Sequence, residues 1–312
     1  MSDLLRYIAR RILILIPTLI GASIIIFLII HLLPGDPAVI LAGPEATAED
    51  IERLRIRLGL DKPLYVQYLM FMSRIIRGDL GESLVTGHPI SELLWVRFFN
   101  TLKLAVCGIL IALTLGIVLG ILAAIKRNSV IDQIVMAFSL VGVSTPVFLL
   151  AILLIQIFAV KLHILPATSL GTELELRHII LPSLTLGLIG AAPIARMTRT
   201  SMLEVLGQEY IRVAYAFGFK EHKILFKYAL RNALIPVITI AGLLFGYLLA
   251  GAVITETVFA YPGLGRLIVE SIFARDYPVV QMGLLFISFT FAIVNTVVDI
   301  LYAVINPRVR LR

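Results

Sequence analysis

The chain has 312 residues, of which 59% are hydrophobic and 15% are charged, and its mean hydropathy is +0.99. A soluble globular domain carries roughly 45–50% apolar and about 25% charged residues, so this composition excludes that class and indicates a membrane protein. The formal net charge is +7, and the only cysteine is Cys107, which excludes an internal disulfide framework and a cysteine-rich metal site.

Six apolar stretches are long enough to form helices that cross a bilayer, which takes about 20 residues each. They are predicted at 12–33, 101–125, 131–160, 179–195, 233–258 and 279–305. The first exceeds the apolar run of a signal peptide, roughly 7–15 residues, and is predicted to be an uncleaved anchor. The fourth is short, and Pro182 and Pro193 make its ends the least defined. The sequence therefore predicts an all-α membrane protein with six transmembrane helices, because helices satisfy their own backbone in lipid.

Basic residues are concentrated on one side of these spans. With the N-terminus inside the cell, most Lys and Arg residues near the span ends fall on the cytoplasmic side, as the positive-inside rule requires. Both termini are therefore predicted to be cytoplasmic. The same bias accounts for the net charge, so a nucleic-acid partner is not needed to explain it.

The long outer segment between the first two spans is predicted to be a small structured region. Residues 49–58 are typical of a charged helix that ends at Gly59, and residues 63–76 of an amphipathic helix. Its functional interpretation is a surface that docks a partner outside the membrane, and the alternative is a cap that only seals helix ends. The candidate docking residues are Glu49, Asp50 and Glu52. The predicted parts of the chain are an anchor helix at 1–33, an external subdomain at 34–98, and a core at 99–312 with a cytoplasmic loop at 196–232.

The segment 208–236 is basic, amphipathic and too long to be a simple connector between two spans. One apolar stripe recurs at the i, i+3, i+4 and i+7 positions of a helix, namely Tyr210, Val213, Ala214 and Phe217. Gly218 supplies the left-handed backbone that ends such a helix. A structured helix pair on the cytoplasmic face indicates a surface for a soluble partner. Its candidate residues are Glu209, Tyr210, Arg212, Ala214, Phe217 and Gly218.

Polar residues inside the predicted spans are candidates for a translocation path. They are Ser144, Thr145, Tyr247, Asn295 and Asp299. Asp299 differs from the others because an ionisable group in a span usually faces a bundle interior or water. Its alternative role is to pin the last span to a basic neighbour near the cytoplasmic surface.

Small residues recur at every fourth position in the second and fifth spans. The two sets are Gly116, Gly120 and Ala124, and Gly242, Gly246 and Ala250. Such faces let helices approach closely where no hydrophobic force drives them together. Internal packing is the favoured interpretation for the second span. For the fifth span, internal packing and contact with another membrane subunit are equally compatible with the pattern.

No enzymatic motif stands out along the chain. There is no phosphate-binding loop and no His-Glu-x-x-His pattern, and the five histidines are scattered, so no catalytic residue and no metal site are predicted. A secondary transporter would usually show two related halves, and no such repeat is found. A redox anchor would need paired histidines within spans. An intramembrane enzyme would need a catalytic pair, and Asp299 has no evident partner in the sequence.

Eight short motifs follow one another along the chain. They are HLLPGDP at 31–37, LGLDKPL at 58–64, GDLGES at 78–83, STPVF at 144–148, LPSLTLG at 181–187, ETVF at 256–259 with PGLG at 262–265, DILY at 299–302 and NPR at 306–308. In these motifs the chain resembles the membrane subunits of bacterial ATP-binding-cassette importers. The resemblance is to the first of the two permeases in dipeptide, oligopeptide, glutathione and nickel systems.

The resemblance implies a type I importer permease fold in the bacterial inner membrane, working by alternating access. The implied partners are a second homologous permease, two ATPase subunits and an extracytoplasmic substrate-binding protein. ATP and Mg would be used by the ATPases, and this chain would bind no cofactor. The loop 196–232 would then be the coupling loop, and the segment 208–236 would carry its coupling helix.

The coupling loop departs from the commonest form of the family. That form reads Glu-Ala-Ala and then Gly, whereas Arg212, Val213 and Ala214 stand at those positions here, a divergence that peptide-type permeases generally share. The stretch 41–46 looks most like the glutathione-type permeases, which favours a short peptide as the substrate. A nickel-type importer, and a secondary transporter without ATPase partners, are the alternatives.

Overall fold

The computed structural model describes residues 2–32, 38–39, 46–169 and 176–305, and throughout these ranges the regular structure is helical. The helices of the first half are α1 (Ser2–Leu32), α2 (Ala48–Leu58), α3 (Leu64–Ile76), α4 (Ile90–Ile125), α5 (Val130–Ser144) and α6 (Val147–Leu154), which continues as a π-helix over Ile155–Lys161. The helices of the second half are α7 (Leu176–Leu206), α8 (Glu209–Ala216), α9 (Glu221–Lys223) with a π-helix over Ile224–Ala229, α10 (Leu230–Gly251), α11 (Val253–Val258), α12 (Leu264–Phe273) and α13 (Tyr277–Ile305).

Three parts of the sequence motifs lie outside the described residues. They are 33–37 in the first motif, 41–45 in the glutathione-like stretch, and 306–308 at the end. The basic residues near the C-terminus that contribute to the predicted orientation, Arg308, Arg310 and Arg312, also lie outside the described residues.

Within the described ranges, five helices are long and apolar enough to cross a membrane, and a bent pair makes a sixth span if it is counted as one. That pair is α5 and α6, which meet at an angle of 108°. The span predicted at 131–160 is therefore present as this bent pair, and the bend itself was not predicted. The break falls at Thr145-Pro146, because a residue before proline is driven out of the helical region, and Thr145 takes an extended backbone with φ −79° and ψ 124°.

The ends of two other spans also differ from the prediction. The helix α7 runs from Leu176 to Leu206 and continues through both Pro182 and Pro193, so it is much longer than the predicted 179–195. Likewise, α4 begins at Ile90 rather than near 101, so the last part of the predicted outer segment belongs to this helix. With 36 residues, α4 is about 54 Å long and links the two ends of the bundle.

The centre of the bundle is the contact between α4 and α7, which run in the same direction. A Cβ atom added at Gly116 would lie 2.5 Å from Cγ2 of Ile194, and one at Gly120 would lie 2.6 Å from the carbonyl oxygen of Ala195. No side chain fits in either place, so the two backbones touch through their glycines. The internal packing expected for the small-residue face of the second span is confirmed.

The small-residue face of the fifth span also packs inside the chain, against α13. A Cβ atom at Gly242 would lie 2.5 Å from Cγ1 of Val298, and one at Gly246 would lie 3.0 Å from Oδ1 of Asn295. Further along α13, Asp299 accepts a 2.9 Å ion-paired contact from Arg11 of α1. The helices α1, α10 and α13 therefore form one antiparallel layer beside the α4–α7 pair.

The bundle has two distinct ends. The end that holds α2, α3, Ile90 and the α11–α12 corner is called the α3 end. The end that holds α8, where α4 and α7 finish, is called the α8 end.

Candidate functional site

The helix α8 lies across the α8 end of the bundle and has two unlike faces. Ile211 and Ala214 are buried, whereas Tyr210, Val213 and Phe217 are exposed by 43%, 51% and 77%. The predicted stripe is thus divided, because Ala214 turns inward beside Ile211 and the other three residues face outward. The helix α8 therefore packs on the bundle with one face and exposes apolar side chains on the other.

Small and aliphatic side chains from four elements hold the inner face of α8. The buried cluster around Ile211 and Ala214 contains Ala124, Met202, Ile224, Leu225, Ala229 and Ala233. These residues belong to the ends of α4 and α7, to the second π-helix and to the start of α10. One polar bond is added at the edge, where Nδ2 of Asn232 donates to the hydroxyl of Tyr210 at 2.8 Å. The helix α8 therefore shares one apolar cluster with the ends of three long helices.

The end of α8 is a tight left-handed turn at Gly218. Its φ is +74°, as the sequence predicted, and the N–H groups of Gly218 and Phe219 donate back to the carbonyls of Tyr215 and Ala214. Beyond the turn, Phe219 stacks on Tyr228 with ring centres 5.8 Å apart. The turn and the stack fix where the chain leaves α8, so the outward face has a defined position.

The exposed surface of α8 and of the segment that follows it, as far as the start of α10, is predominantly basic. The exposed cations are Arg212, Lys220, Lys223, Lys227 and Arg231, and the exposed acids are Glu209 and Glu221. Across the described ranges, none of these seven forms an ion pair, although Lys223 lies 4.7 Å from the ring centre of Phe219. Exposed apolar side chains accompanied by cations without ion-pair partners are typical of a docking surface for another protein or for anionic headgroups.

The candidate path residues are distributed over three places. Ser144 is exposed at the end of α5, and the hydroxyl of Thr145 donates to the carbonyl of Val141 at 2.7 Å beside the 108° bend. Tyr247 is 67% exposed on α10. Asn295 faces Gly246 between α10 and α13, where its buried Oδ1 has no hydrogen-bond partner among the described residues.

Asp299 occupies the alternative role that the sequence left open. Its carboxylate pairs with Arg11, and both side chains are about one-third exposed. The pair ties the first span to the last near the α8 end. The ion pair connects α1 and α13, which leaves the Asp299 carboxylate less free to contact a passing substrate.

The candidate docking acids on α2 are engaged in local contacts. Thr47 and Asp50 form a reciprocal capping box, with the Thr47 hydroxyl donating to Oδ2 of Asp50 at 2.6 Å. These bonds hold the pKa of the Asp50 carboxyl below its usual value. Glu49 pairs with Arg53 at 2.6 Å, and Glu52 with Arg55 at 3.5 Å. Glu49 and Glu52 are exposed to solvent, whereas Asp50 caps the N-terminus of α2.

Sequence reasoning missed a buried polar network at the α3 end. Glu256 of α11 is fully buried, and its carboxylate accepts bonds from the Thr101 hydroxyl at 2.7 Å and from the N–H of Arg266 at 3.0 Å. Gly263 lies so close that a Cβ atom there would collide with this carboxylate. The hydroxyl of Tyr261 donates to the carbonyl of Asn100 at 3.0 Å. The ETVF and PGLG motifs were recognised in the sequence, but no residue spacing within them indicates this bond set.

Two further buried carboxylates join distant segments. Asp276, before α13, accepts a 2.5 Å bond from the hydroxyl of Ser83 and a 3.2 Å bond from the N–H of Leu84. Asp132 of α5 accepts a bidentate contact from Arg199 of α7, with 2.7 Å between Nη2 and Oδ2. The first contact fixes the segment before α4 at the α3 end, and the second fixes the start of α5 at the α8 end.

Family models match nearly the whole chain. The model described as binding-protein-dependent transport system inner membrane component matches residues 116–311, and the model of the N-terminal part of such components matches residues 4–105. The glutathione transport system permease proteins GsiC of Escherichia coli (strain K12) and of Salmonella typhi are both 47% identical over 307 residues. These alignments cover 98% of this chain and 99% of each relative.

Solved structures give the same fold. A chain of the methionine ABC transporter MetNI, in an inward-facing conformation, aligns with a TM-score of 0.57 and 22% identity over 70% of this chain and 98% of its own. A chain of an amino acid ABC transporter determined with histidines aligns with a TM-score of 0.54 and 14% identity over 68% and 94%. At such identities the likeness establishes the fold alone.

The resemblance read from the sequence motifs is thus confirmed, and so is the all-α importer permease fold. The relatives are membrane transport components rather than enzymes. The chain belongs to the binding-protein-dependent transport system inner membrane component family, and it is a multi-pass permease subunit of an ATP-binding-cassette importer.

Proposed function

We propose that this chain forms half of the path by which an ATP-driven importer carries a short peptide of the glutathione class across the bacterial inner membrane. The 47% identity to glutathione permeases, which extends over 98% of the chain, supports this substrate class. The chain itself binds no cofactor in this proposal, since ATP and Mg are used by the partner ATPases. Ser144, Thr145, Tyr247 and Asn295 are proposed to line the path, and Asp299 to hold α1 against α13.

Four kinds of partner complete the proposed assembly. They are a second homologous permease, two ATPase subunits, an extracytoplasmic substrate-binding protein and the lipid bilayer. The α8 end and both termini are assigned to the cytoplasm, because the free cations around α8 match the positive-inside bias. The α3 end, with α2 and its exposed acids, is assigned to the side of the binding protein.

The single observation that carries this proposal is the two-faced geometry of α8. Its outward face offers Tyr210, Val213 and Phe217 to a groove on the ATPase, as a helix-in-groove contact requires. On its inward face, Ile211 and Ala214 pack in one apolar cluster with residues of α4, α7 and α10. When the two ATPases close on ATP, a push on α8 moves these three helices as one unit, and the path changes the side to which it opens.

Transport by the complete importer tests the substrate and the energy source together. The complex of two permeases and two ATPases is reconstituted in proteoliposomes with the ATPases facing the lumen. It is expected to accumulate labelled glutathione in the lumen only when ATP is enclosed there and the binding protein is present outside. An excess of an unlabelled short peptide should compete, and nickel chloride should not.

Three results would contradict the proposal in different ways. Uptake of nickel without peptide would favour the nickel-type alternative. Uptake by the permeases alone, driven by an ion gradient, would favour a secondary transporter. Calorimetry on the cognate binding protein that detects nickel but no peptide would remove the substrate assignment and leave the importer assignment standing.

A further inference from the structure

The helix α3 carries more apolar surface than the protein covers. Towards the bundle, Tyr68, Phe71 and Ile75 pack in a cluster with Phe27 of α1. A second apolar stripe, adjacent to the first, is exposed: Tyr65, Leu69 and Ile76 are exposed by 69%, 63% and 80%. The opposite side of the helix carries Gln67 and Arg74. The apolar arc of α3 is therefore wider than its contact with the rest of the chain.

The depth of α3 is set by its contacts with the first span. The hydroxyl of Tyr68 lies 2.8 Å from that of Ser23, and the ring of Phe27 lies between those of Tyr68 and Phe71. The apolar stretch of α1 extends from Arg6 to Ile29, so α3 packs against its last two turns. Ile29 lies six residues after Ser23, which is about 9 Å along the helix. The contacts of α3 with α1 therefore lie within this distance of the end of the apolar stretch, at the boundary between hydrocarbon and headgroups.

The surroundings of the exposed stripe are lipid-facing in character. The neighbouring turns of α1 expose Ile24, Ile25, Leu28 and Ile29, which continue the apolar surface of the span. On α4 at the same end, Trp95 and Phe99 stack and are half exposed. Half-exposed Trp and other aromatic rings are typical of the membrane–water interface.

From this juxtaposition we propose that α3 is an interfacial helix, whose stripe of Tyr65, Leu69 and Ile76 lies in the lipid leaflet at the α3 end. The occupant of the stripe is lipid, because the stripe is continuous with the lipid-facing surface of α1 and lies at the same depth. Arg74 and Arg77 then point toward the headgroups and water. In this arrangement α2 alone stands clear of the membrane, and α3 anchors it at a fixed height.

Fluorescence quenching in the complete importer tests this placement. In a Cys107→Ser background, single cysteines replace Leu69, Ile76 or, as the matched control on the opposite side of the same helix, Arg74. Each carries an environment-sensitive fluorophore, and the complex is placed in lipid nanodiscs. The labels at 69 and 76 are expected to lose most of their emission to nitroxide on lipid chains and little to aqueous iodide, and the label at 74 to show the reverse.

Every other result overturns the proposal. Quenching of the labels at 69 and 76 by iodide alone places the stripe in water. Protection from both quenchers places it under another protein subunit. Protection that arises only when the binding protein is added identifies a docking surface for that protein instead of a lipid contact. Two label positions are used so that a local distortion at one of them does not decide the outcome.

Discussion

The α11–α12 corner and α8 lie at opposite ends of the same bundle and are held by different kinds of contact. At the corner, a fully buried carboxylate, Glu256, is tied to α4 and α12 by directional bonds to Thr101 and Arg266. The helix α8 is held by small apolar side chains around Ile211 and Ala214. Directional bonds to a buried carboxyl group allow one arrangement only, whereas the contacts between small apolar side chains are non-directional.

This difference in contacts matches different roles for the two ends of the bundle. An end that receives a partner and transmits its motion needs a surface that is attached and exposed at once, which α8 provides. The opposite end has to keep its shape while the rest moves, and its buried polar bonds resist separation because an unpaired buried group is costly. We expect substitutions at the corner to act on folding, and substitutions on the outward face of α8 to act on transport.

The largest expected effect is from Gly263→Ala, which breaks the corner. The added Cβ atom has no space beside the Glu256 carboxylate, so the corner must open. Overpacking of this kind costs typically about 1–3 kcal/mol and sometimes more. We expect a marked loss of folded protein and a lower midpoint of thermal unfolding in detergent.

Gly21→Ala is the matched control for that substitution. Nothing lies within 4 Å of a Cβ atom at this position in α1, so the midpoint is expected to stay the same or to rise slightly. Equal midpoints for the two variants would contradict the rigid corner.

A smaller effect is expected from Gly218→Ala at the end of α8. The φ of +74° strains any residue with a Cβ atom by about 1–2 kcal/mol, although the surrounding space is open. We expect near-normal abundance with reduced transport, because the turn that positions the outward face of α8 is altered. Gly207→Ala, close in the chain and without a positive φ, is the control and should transport normally. A similar loss of transport in both variants would argue against a specific role for the turn.

These contrasts also mark where sequence reasoning succeeds and where it stops. The spans, the turn at Gly218 and the family could be predicted, because hydropathy, glycine chemistry and short motifs are local signals. The break before Pro146 could also have been predicted, because the residue that precedes a proline is disfavoured in a helix. In contrast, the continuation of α7 through Pro182 and Pro193 depends on packing against α4, which no local pattern records.

The missed site residues share one cause. Thr101 and Glu256, or Ser83 and Asp276, meet only after the bundle has formed, and the sequence separates the members of each pair widely. The Arg11–Asp299 pair likewise joins the first and last spans. For α8, the period of the stripe was visible, but which side would be buried was not. That depends on the ends of α4, α7 and α10 that lie beneath it.

The smallest expected effect is from a double charge reversal, Glu49→Lys with Glu52→Lys, on α2. Exposed ion pairs of this kind contribute about 0–1 kcal/mol, so stability and assembly should be unchanged. If α2 docks the binding protein, stimulation of ATP hydrolysis by that protein should fall while basal hydrolysis persists. Asp50 is left in place because it caps the helix. Full stimulation in the double variant would leave α2 with a sealing role only.

The central claim is that the outward face of α8 transmits force without holding the fold together, and Phe217→Asp tests it most directly. Because Phe217 is 77% exposed, we expect wild-type abundance and a wild-type unfolding midpoint for the Phe217→Asp importer. We also expect transport near background and ATP hydrolysis that no longer responds to the loaded binding protein. Phe217→Leu, which keeps an apolar side chain, should retain most of the transport. Normal transport by the Phe217→Asp importer at full abundance would show that the outward face of α8 does not transmit the force.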